Sequence, residues 1–120
     1  MNFSALVAIV FYNNISEGID LFVDCLQFTI KHIDLNESQP YCVLEKDGIG
    51  TKVFQDEQLA KEHNPELRLV TNNIEAVYAK VSESHPDLQH QNLNKVTLRP
   101  WGAKEFAIAD KQLGIRFQQW

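Results

Sequence analysis

The tripeptide Asn13-Asn14-Ile15 returns as Asn72-Asn73-Ile74, 59 residues later in a chain of 120. Each copy follows an apolar, strand-like run and precedes an amphipathic stretch, so the chain reads as one structural unit written twice. Duplication constrains the fold more than any single motif does, because each element of one half must find its counterpart in the other. Module 1 spans about residues 1–60 and module 2 about residues 61–120 of a single domain. Units of that size are small for a robust core, so the two are expected to pack together or to pair with a second chain.

In module 1, Ala5 to Tyr12 is β-branched and apolar. Ser16 can cap a helix in which Ile19, Phe22, Val23 and Leu26 recur at helical spacing. Phe28 to Leu35 alternates weakly, Tyr41 to Lys46 reads as a strand, and Asp47-Gly48 is a hairpin turn leading into a strand from Gly50 to Gln55. Module 2 repeats the order. Leu67 to Thr71 is a strand, Asn72 or Asn73 caps a helix, and Ile74, Val77, Tyr78 and Val81 lie on one face of it. The polar stretch His85 to Asn94 is expected to hold a short strand, followed by strands at Lys95 to Arg99, Glu105 to Ala109 and Gly114 to Gln119. Pro40-Tyr41 aligns with Pro100-Trp101, and Val53-Phe54-Gln55 aligns with Arg116-Phe117-Gln118. The fold class is α+β, built from two β-α-β-β-β modules.

Charge and cysteine content exclude several functions. A formal charge of −5, from 16 acidic and 11 basic residues, comes without any Lys/Arg cluster, so nucleic acid is not an expected partner. The overall field mildly favours cationic small molecules. The opening MNFSALVAIVFYNN has no basic leader and is shorter than the roughly 20 residues of a membrane span, so it reads as a buried strand of a cytoplasmic protein with no membrane partner. Cys25 and Cys42 lack the spacing of a zinc site and read as buried, reduced thiols. There is no Gly-x-Ser-x-Gly elbow and no phosphate-cradling Gly-rich loop.

The segment Arg99-Pro-Trp-Gly-Ala-Lys-Glu-Phe-Ala-Ile-Ala-Asp110, followed by Gly114-Ile-Arg-Phe117, resembles the C-terminal signature of the glyoxalase, bleomycin-resistance and dioxygenase superfamily, also called vicinal oxygen chelate proteins. Pro-Trp-Gly followed by Glu-Phe and an Asp-led turn most resembles the bleomycin-resistance branch. The resemblance implies curved mixed sheets whose concave face makes a pocket, helices packed outside, and a homodimer. Enzymes of the superfamily hold a divalent metal in that pocket through His, Glu or Gln of the first and last strand of each module, which requires several donors converging on one point.

Carried onto this sequence, the ligand positions are Val7 and its counterpart Glu66 in the first strands, and Val53 and its counterpart Arg116 in the last. Three of these four side chains do not ligate a metal. The neighbours Ala8, Phe54, Leu67 and Phe117 supply no donors, and His32, His63, His85 and His90 fall outside the pattern and read as surface or loop residues. No metal, cofactor or catalytic residue is therefore expected. Glu66 and Arg116 should meet in the pocket, the guanidinium taking the place of the cation.

Alternation puts Glu66, Arg68 and Val70 on the pocket face and Leu67 and Leu69 on the helix face. Thr97, Arg99 and Trp101 share a side. Trp101 is the strongest candidate for ligand contact, because an indole offers a large stacking area at small entropic cost. Tyr41, its apparent repeat counterpart, and Phe54 are further aromatic candidates. The ligand-binding set is thus Trp101, Arg99, Glu66, Arg68, Arg116, Tyr41 and Phe54. The expected function is metal-free binding of a small molecule, by resemblance a bleomycin-type antibiotic or another bulky, partly cationic compound held without modification. The alternative is a metal-dependent lyase, isomerase or dioxygenase of the same superfamily.

Overall fold

The structure is a computed structural model and describes residues 1–120. The chain divides into two compact units, Met1–His63 and Asn64–Trp120. Each contains one four-stranded, curved mixed sheet with helical segments, the expected α+β class.

In the first unit, β1 (Val7–Tyr12), β2 (Thr29–Asp34), β3 (Tyr41–Lys46) and β4 (Ile49–Gln55) lie in the order β1-β4-β3-β2. β1 runs parallel to β4, and the other pairs are antiparallel. Asp47 (φ 53) and Gly48 (φ 79) form the tight β3–β4 turn, the positive-φ pair that a two-residue hairpin demands. One sheet face carries the buried Val10, Tyr12, Cys42, Leu44, Thr51 and Val53. Helix α1 (Ile15–Ile19) comes so close to this face that a Cβ on Gly18 would lie 2.8 Å from the Tyr12 ring and 2.9 Å from Val53. The helix then widens over Asp20–Cys25, where the Leu26 N–H reaches the carbonyl of Leu21, and it stops at Gln27 (φ 64). A short helix α2 (Glu57–Glu62) follows β4, capped by Asp56 Oδ1 on the Leu59 N–H. Its pattern was invisible to periodicity because only Ala60 is buried.

The second unit repeats this plan with β5 (Glu66–Val70), helix α3 (Ile74–Ser84), β6 (Thr97–Leu98), β7 (Lys104–Ala109) and β8 (Gly114–Gln119), in sheet order β5-β8-β7-β6. Phe106 stacks on Phe117 at 4.6 Å and meets Tyr78 of α3 edge-on at 5.1 Å, which ties the helix to the buried face. The strand expected within His85 to Asn94 does not form. Pro86 opens a single 3₁₀ turn (Pro86–Leu88), and one isolated bridge joins Gln89 to Ile108. β6 is shorter than Lys95 to Arg99 because the Arg99 N–H turns to the Ala103 carbonyl, closing a loop in which Gly102 sits at φ 100.

The repeated tripeptide has a physical reason. Asn14 Oδ1 accepts from the Ser16 N–H at 3.0 Å, and Asn73 Oδ1 accepts from the Ala76 N–H at 3.3 Å, so in both units the cap is the second asparagine, and Ser16 lies inside the helix. Ile15 and Ile74 are buried, and their N–H groups are met by the side chains of Gln55 (3.1 Å) and Gln119 (2.8 Å) from the last strand of the same unit. Gln55 therefore corresponds to Gln119. The Phe-Gln match had paired it with Gln118, one residue short.

Gln119→Ala strips the buried Ile74 N–H of its acceptor and is expected to cost about 1–3 kcal/mol of unfolding free energy, measurable in urea, with little change in the m-value.

Candidate functional site

In the second unit the sheet face away from α3 is polar. β5 presents Glu66 and Arg68 there, β7 presents Glu105, and β8 presents Arg116 and Gln118, since Arg68 pairs with Arg116 and Glu105 with Gln118. Glu105 is completely buried. Its Oε2 accepts from Trp101 Nε1 at 2.8 Å and from Gln118 Nε2 at 2.7 Å, and Arg116 Nη1 reaches Oε1 at 3.4 Å. Sequence reading did not single out Glu105 or Gln118. Glu105 stood within the Trp-Gly…Glu-Phe segment, but a buried carboxylate is recognisable only once its partners are in space.

The expected meeting of Glu66 and Arg116 occurs, with Arg116 Nε 3.1 Å from Glu66 Oε1. The contact is an ion pair off the hydrogen-bond line, because the Arg116 Nε–H has no hydrogen-bond acceptor. Arg99 lies with its guanidinium carbon 4.8 Å from the centre of the Trp101 ring, while Trp101 remains half exposed. Arg68 is exposed beside Arg116. A cavity of about 460 Å³ opens at this face, bordered by Glu66, Arg99, Arg116, Asn64, Asn92 and His90. His90, read from the sequence as a surface or loop residue, is exposed in a loop and also borders the cavity. Its Nδ1 accepts from the Asn92 N–H at 3.1 Å.

Tyr41 and Phe54 belong to the first unit, on the sheet face away from α1. There the rings of Phe11, Phe54, Tyr41 and His32 follow one another across β1, β4, β3 and β2 at 5.9, 6.0 and 5.5 Å. His32 Nε2 is 3.0 Å from the Tyr41 hydroxyl, and Lys52 Nζ stands 5.6 Å from the Tyr41 ring centre and 5.4 Å from that of Phe54. Phe11, His32 and Lys52 escaped sequence reading because their adjacency is a matter of cross-strand register.

Register also corrects the metal positions. Val7 pairs with Gly50 as Glu66 pairs with Gly114, so the counterpart of Arg116 is Lys52. Val53 is fully buried on the α1 side and never faces the open side of the sheet. Likewise Tyr41, paired with Phe54, corresponds to Glu105, paired with Gln118, and not to Trp101. The positions that the resemblance assigned to a metal thus carry Val7 and Lys52 in one unit and Glu66 and Arg116 in the other. Each unit places a cationic side chain there, and no three His, Cys, Asp or Glu side chains converge anywhere. The residues present do not fit a divalent metal.

No family model matches the sequence, and no curated protein matches it. Solved structures do. The bleomycin-binding protein of Streptomyces verticillus, solved with copper(II)-bleomycin, superposes with a TM-score of 0.77 at 15% identity, covering 100% of this chain and 98% of that one. TnmS3, an antibiotic-binding protein from Streptomyces sp. CB03234, gives 0.75 at 15% identity over 99% of this chain and 98% of its own. A glyoxalase/bleomycin resistance protein/dioxygenase superfamily member from Sphaerobacter thermophilus DSM 20745 gives 0.71 at 14% identity over 100% and 98%. The chain has the fold of this superfamily, as its Trp-Gly segment and duplicated modules indicated.

Burial opposes ionisation of Glu105. The hydrogen bonds from Gln118 and Trp101 and the charges of Arg116 and Arg99 outweigh it and hold the carboxyl below its ordinary value of 4.5. A group whose folded value is depressed adds stability above its unfolded value and loses it as pH falls through the folded one. Glu105→Gln is therefore expected to destabilise the protein at neutral pH, with the gap to the parent protein shrinking as pH drops below 4.5. Urea titrations of both proteins over a pH series measure it.

Proposed function

We propose that this protein binds a bulky small molecule without a metal and without modifying it, as an antibiotic-sequestering protein does. The observation that carries the reading is the Arg116 guanidinium, placed between Glu66 and Glu105 where an enzyme of this fold would hold its metal. A fixed guanidinium supplies positive charge but no open coordination position, so it favours binding over Lewis-acid chemistry.

The half-exposed Trp101 indole offers an aromatic surface, and the exposed Glu66 carboxylate at the cavity border suits a cationic group, so a bleomycin-type glycopeptide or another bulky, partly cationic compound fits this face. Bleomycin-binding and antibiotic-binding proteins among the structural neighbours support the same class of ligand. Exposed apolar side chains on the edge strands, Val7 and Ile9 on β1 and Val70 on β5, support a homodimer. Both cysteines are buried, which suits a reducing cytoplasm, and no helix is long and apolar enough to cross a membrane.

Bleomycin at about one hundred times its Kd is expected to stabilise the fold by about 2.7 kcal/mol, read as a rise in Tm on the order of 10 °C, equally with and without a chelator. Trp101→Ala should remove most of the shift. Near-stoichiometric Ni, Zn, Fe or Mn retained by chelator-free protein, and lost on Glu66→Ala, would overturn the metal-free reading in favour of an enzyme.

A further inference from the structure

We infer that the cavity at β5, β7 and β8 receives an uncharged polar group of the ligand, a carboxamide or a group of similar hydrogen-bonding character, and that Ala107, Ala109 and Gly114 set the size it admits. The inference rests on the small-molecule reading above and adds the chemistry of one part of the ligand.

Three observations carry it. The first is why the space exists. Ala107 pairs with Arg116 and Ala109 with Gly114, as Val43 pairs with Lys52 and Glu45 with Gly50 in the first unit. At equivalent register the first unit thus has a valine and a glutamate where the second has two alanines. Gly114 leaves further room, since a Cβ there would meet nothing closer than Glu66 Cγ at 3.9 Å. The adjoining chain differs as well. β2 accompanies β3 over six residues, whereas β6 has two. Ahead of β6 the chain leans on β7 through the His90 N–H on the Ala107 carbonyl (3.0 Å) and the Ala107 N–H on the Leu93 carbonyl (2.9 Å). Leu93 is buried, which fixes His90 and Asn92 at the cavity border. The result is about 460 Å³ with a floor of small apolar residues and a polar rim, room for one ring with a polar substituent.

The second is charge. The charged side chains at the border are Glu66, Arg99 and Arg116, and Glu105 lies buried against Arg116, so two guanidinium groups are matched by two carboxylates. His90 adds no charge, because its Nδ1 accepts from the Asn92 N–H at 3.1 Å, which holds the ring as the neutral tautomer protonated on Nε2. A charged group entering the cavity would lose water without gaining a free counter-charge, whereas an uncharged group leaves the balance intact. Glu66 is half exposed, so a cationic part of the same ligand meets it from the solvent side. The third is hydrogen-bonding capacity. The Asn92 side-chain amide has no partner within the protein, Asn64 uses Nδ2 on the Gln112 carbonyl at 3.4 Å and keeps Oδ1, and His90 keeps its Nε2–H. Donors and acceptors thus border one space, the complement of a group that carries both, as a carboxamide does. A purely apolar group would leave them without water and without partners.

Benzamide, benzoate and benzamidine, alike in size and different in charge, test the inference on the full chain. The readout is the backbone amide signals of Ala107, Ala109 and Gly114 in ¹H–¹⁵N NMR titrations. Benzamide is expected to shift them saturably and to bind about threefold or more tighter than either charged analogue. Ala107→Leu, which fills the floor, should weaken benzamide binding at least about tenfold while thermal unfolding stays cooperative, and Ala107→Ser should leave it within about twofold. Ala109→Val, at a half-buried position on the same floor, gives the same reading if Ala107→Leu does not fold. Benzoate or benzamidine saturating these signals as tightly as benzamide would overturn the inference, and so would benzamide failing to saturate at concentrations on the order of 10 mM or binding the filled variant unchanged. Bleomycin bound by a protein that ignores benzamide would remove this inference and leave the proposed function standing. Benzamide bound in preference to its charged analogues by a protein that ignores bleomycin would instead count against the proposed antibiotic and leave this inference intact.

Discussion

The second unit is organised around a carboxylate that has no exposed surface. Glu105 sits mid-sheet, where an unpaired charge would cost several kcal/mol, and it stays ionised because Trp101, Gln118 and Arg116 all point at it. Each of those partners is thereby fixed. Trp101 is pinned at its nitrogen, so its ring presents one orientation, with Arg99 lying over it. Arg116 is held by Glu105 at Nη1 on one side and by Glu66 beside Nε on the other. The polar face is in this sense preorganised: the charges at the cavity border are positioned by a group that has no exposed surface itself.

The first unit solves the same geometrical problem with different chemistry. At the register positions of Glu105, Arg116 and Gln118 it carries Tyr41, Lys52 and Phe54. A ring stands where the carboxylate does, and the cation is retained over two aromatic faces in place of an ion pair. No desolvated carboxylate has to be satisfied there, so no network of hydrogen bonds is needed to support one. Both solutions put positive charge at the same register position on the open face of the sheet.

Much of the fold was legible in the sequence because it rests on local rules. Strands β3 and β8 and the Asp47-Gly48 turn follow from alternation and turn chemistry, and α1 and α3 from their apolar spacing, although the cap of α1 is Asn14 in place of Ser16. The errors have physical sources. Pro86 and the short polar side chains around it broke the strand expected near 85–94 into a 3₁₀ turn, and α2 buries only Ala60, too little for periodicity to register. At the site, Glu66 and Arg116 could be paired from alternation and the repeat offset, since both strands are regular. Val53 was misplaced because β8 ends in two glutamines, and Val-Phe-Gln matches Arg-Phe-Gln one residue early. In a strand a single-residue slip exchanges the two faces, which turned a core valine into an apparent pocket residue and concealed Lys52.

The slip also separates what duplication keeps from what it releases. Asn14 and Asn73, Ile15 and Ile74, and Gln55 and Gln119 are identical pairs, and all six serve backbone N–H groups at a helix start or fill the space beneath it. A buried N–H accepts few substitutes for the oxygen that meets it, so the same residues stand in both units. The open sheet face carries no such obligation. Val7 and Glu66, Ile9 and Arg68, Tyr41 and Glu105, and Phe54 and Gln118 differ in every pair while occupying equivalent register. Identity concentrated at the helix caps and divergence concentrated on the faces is the pattern of a scaffold held constant while two surfaces were fitted to different chemistry.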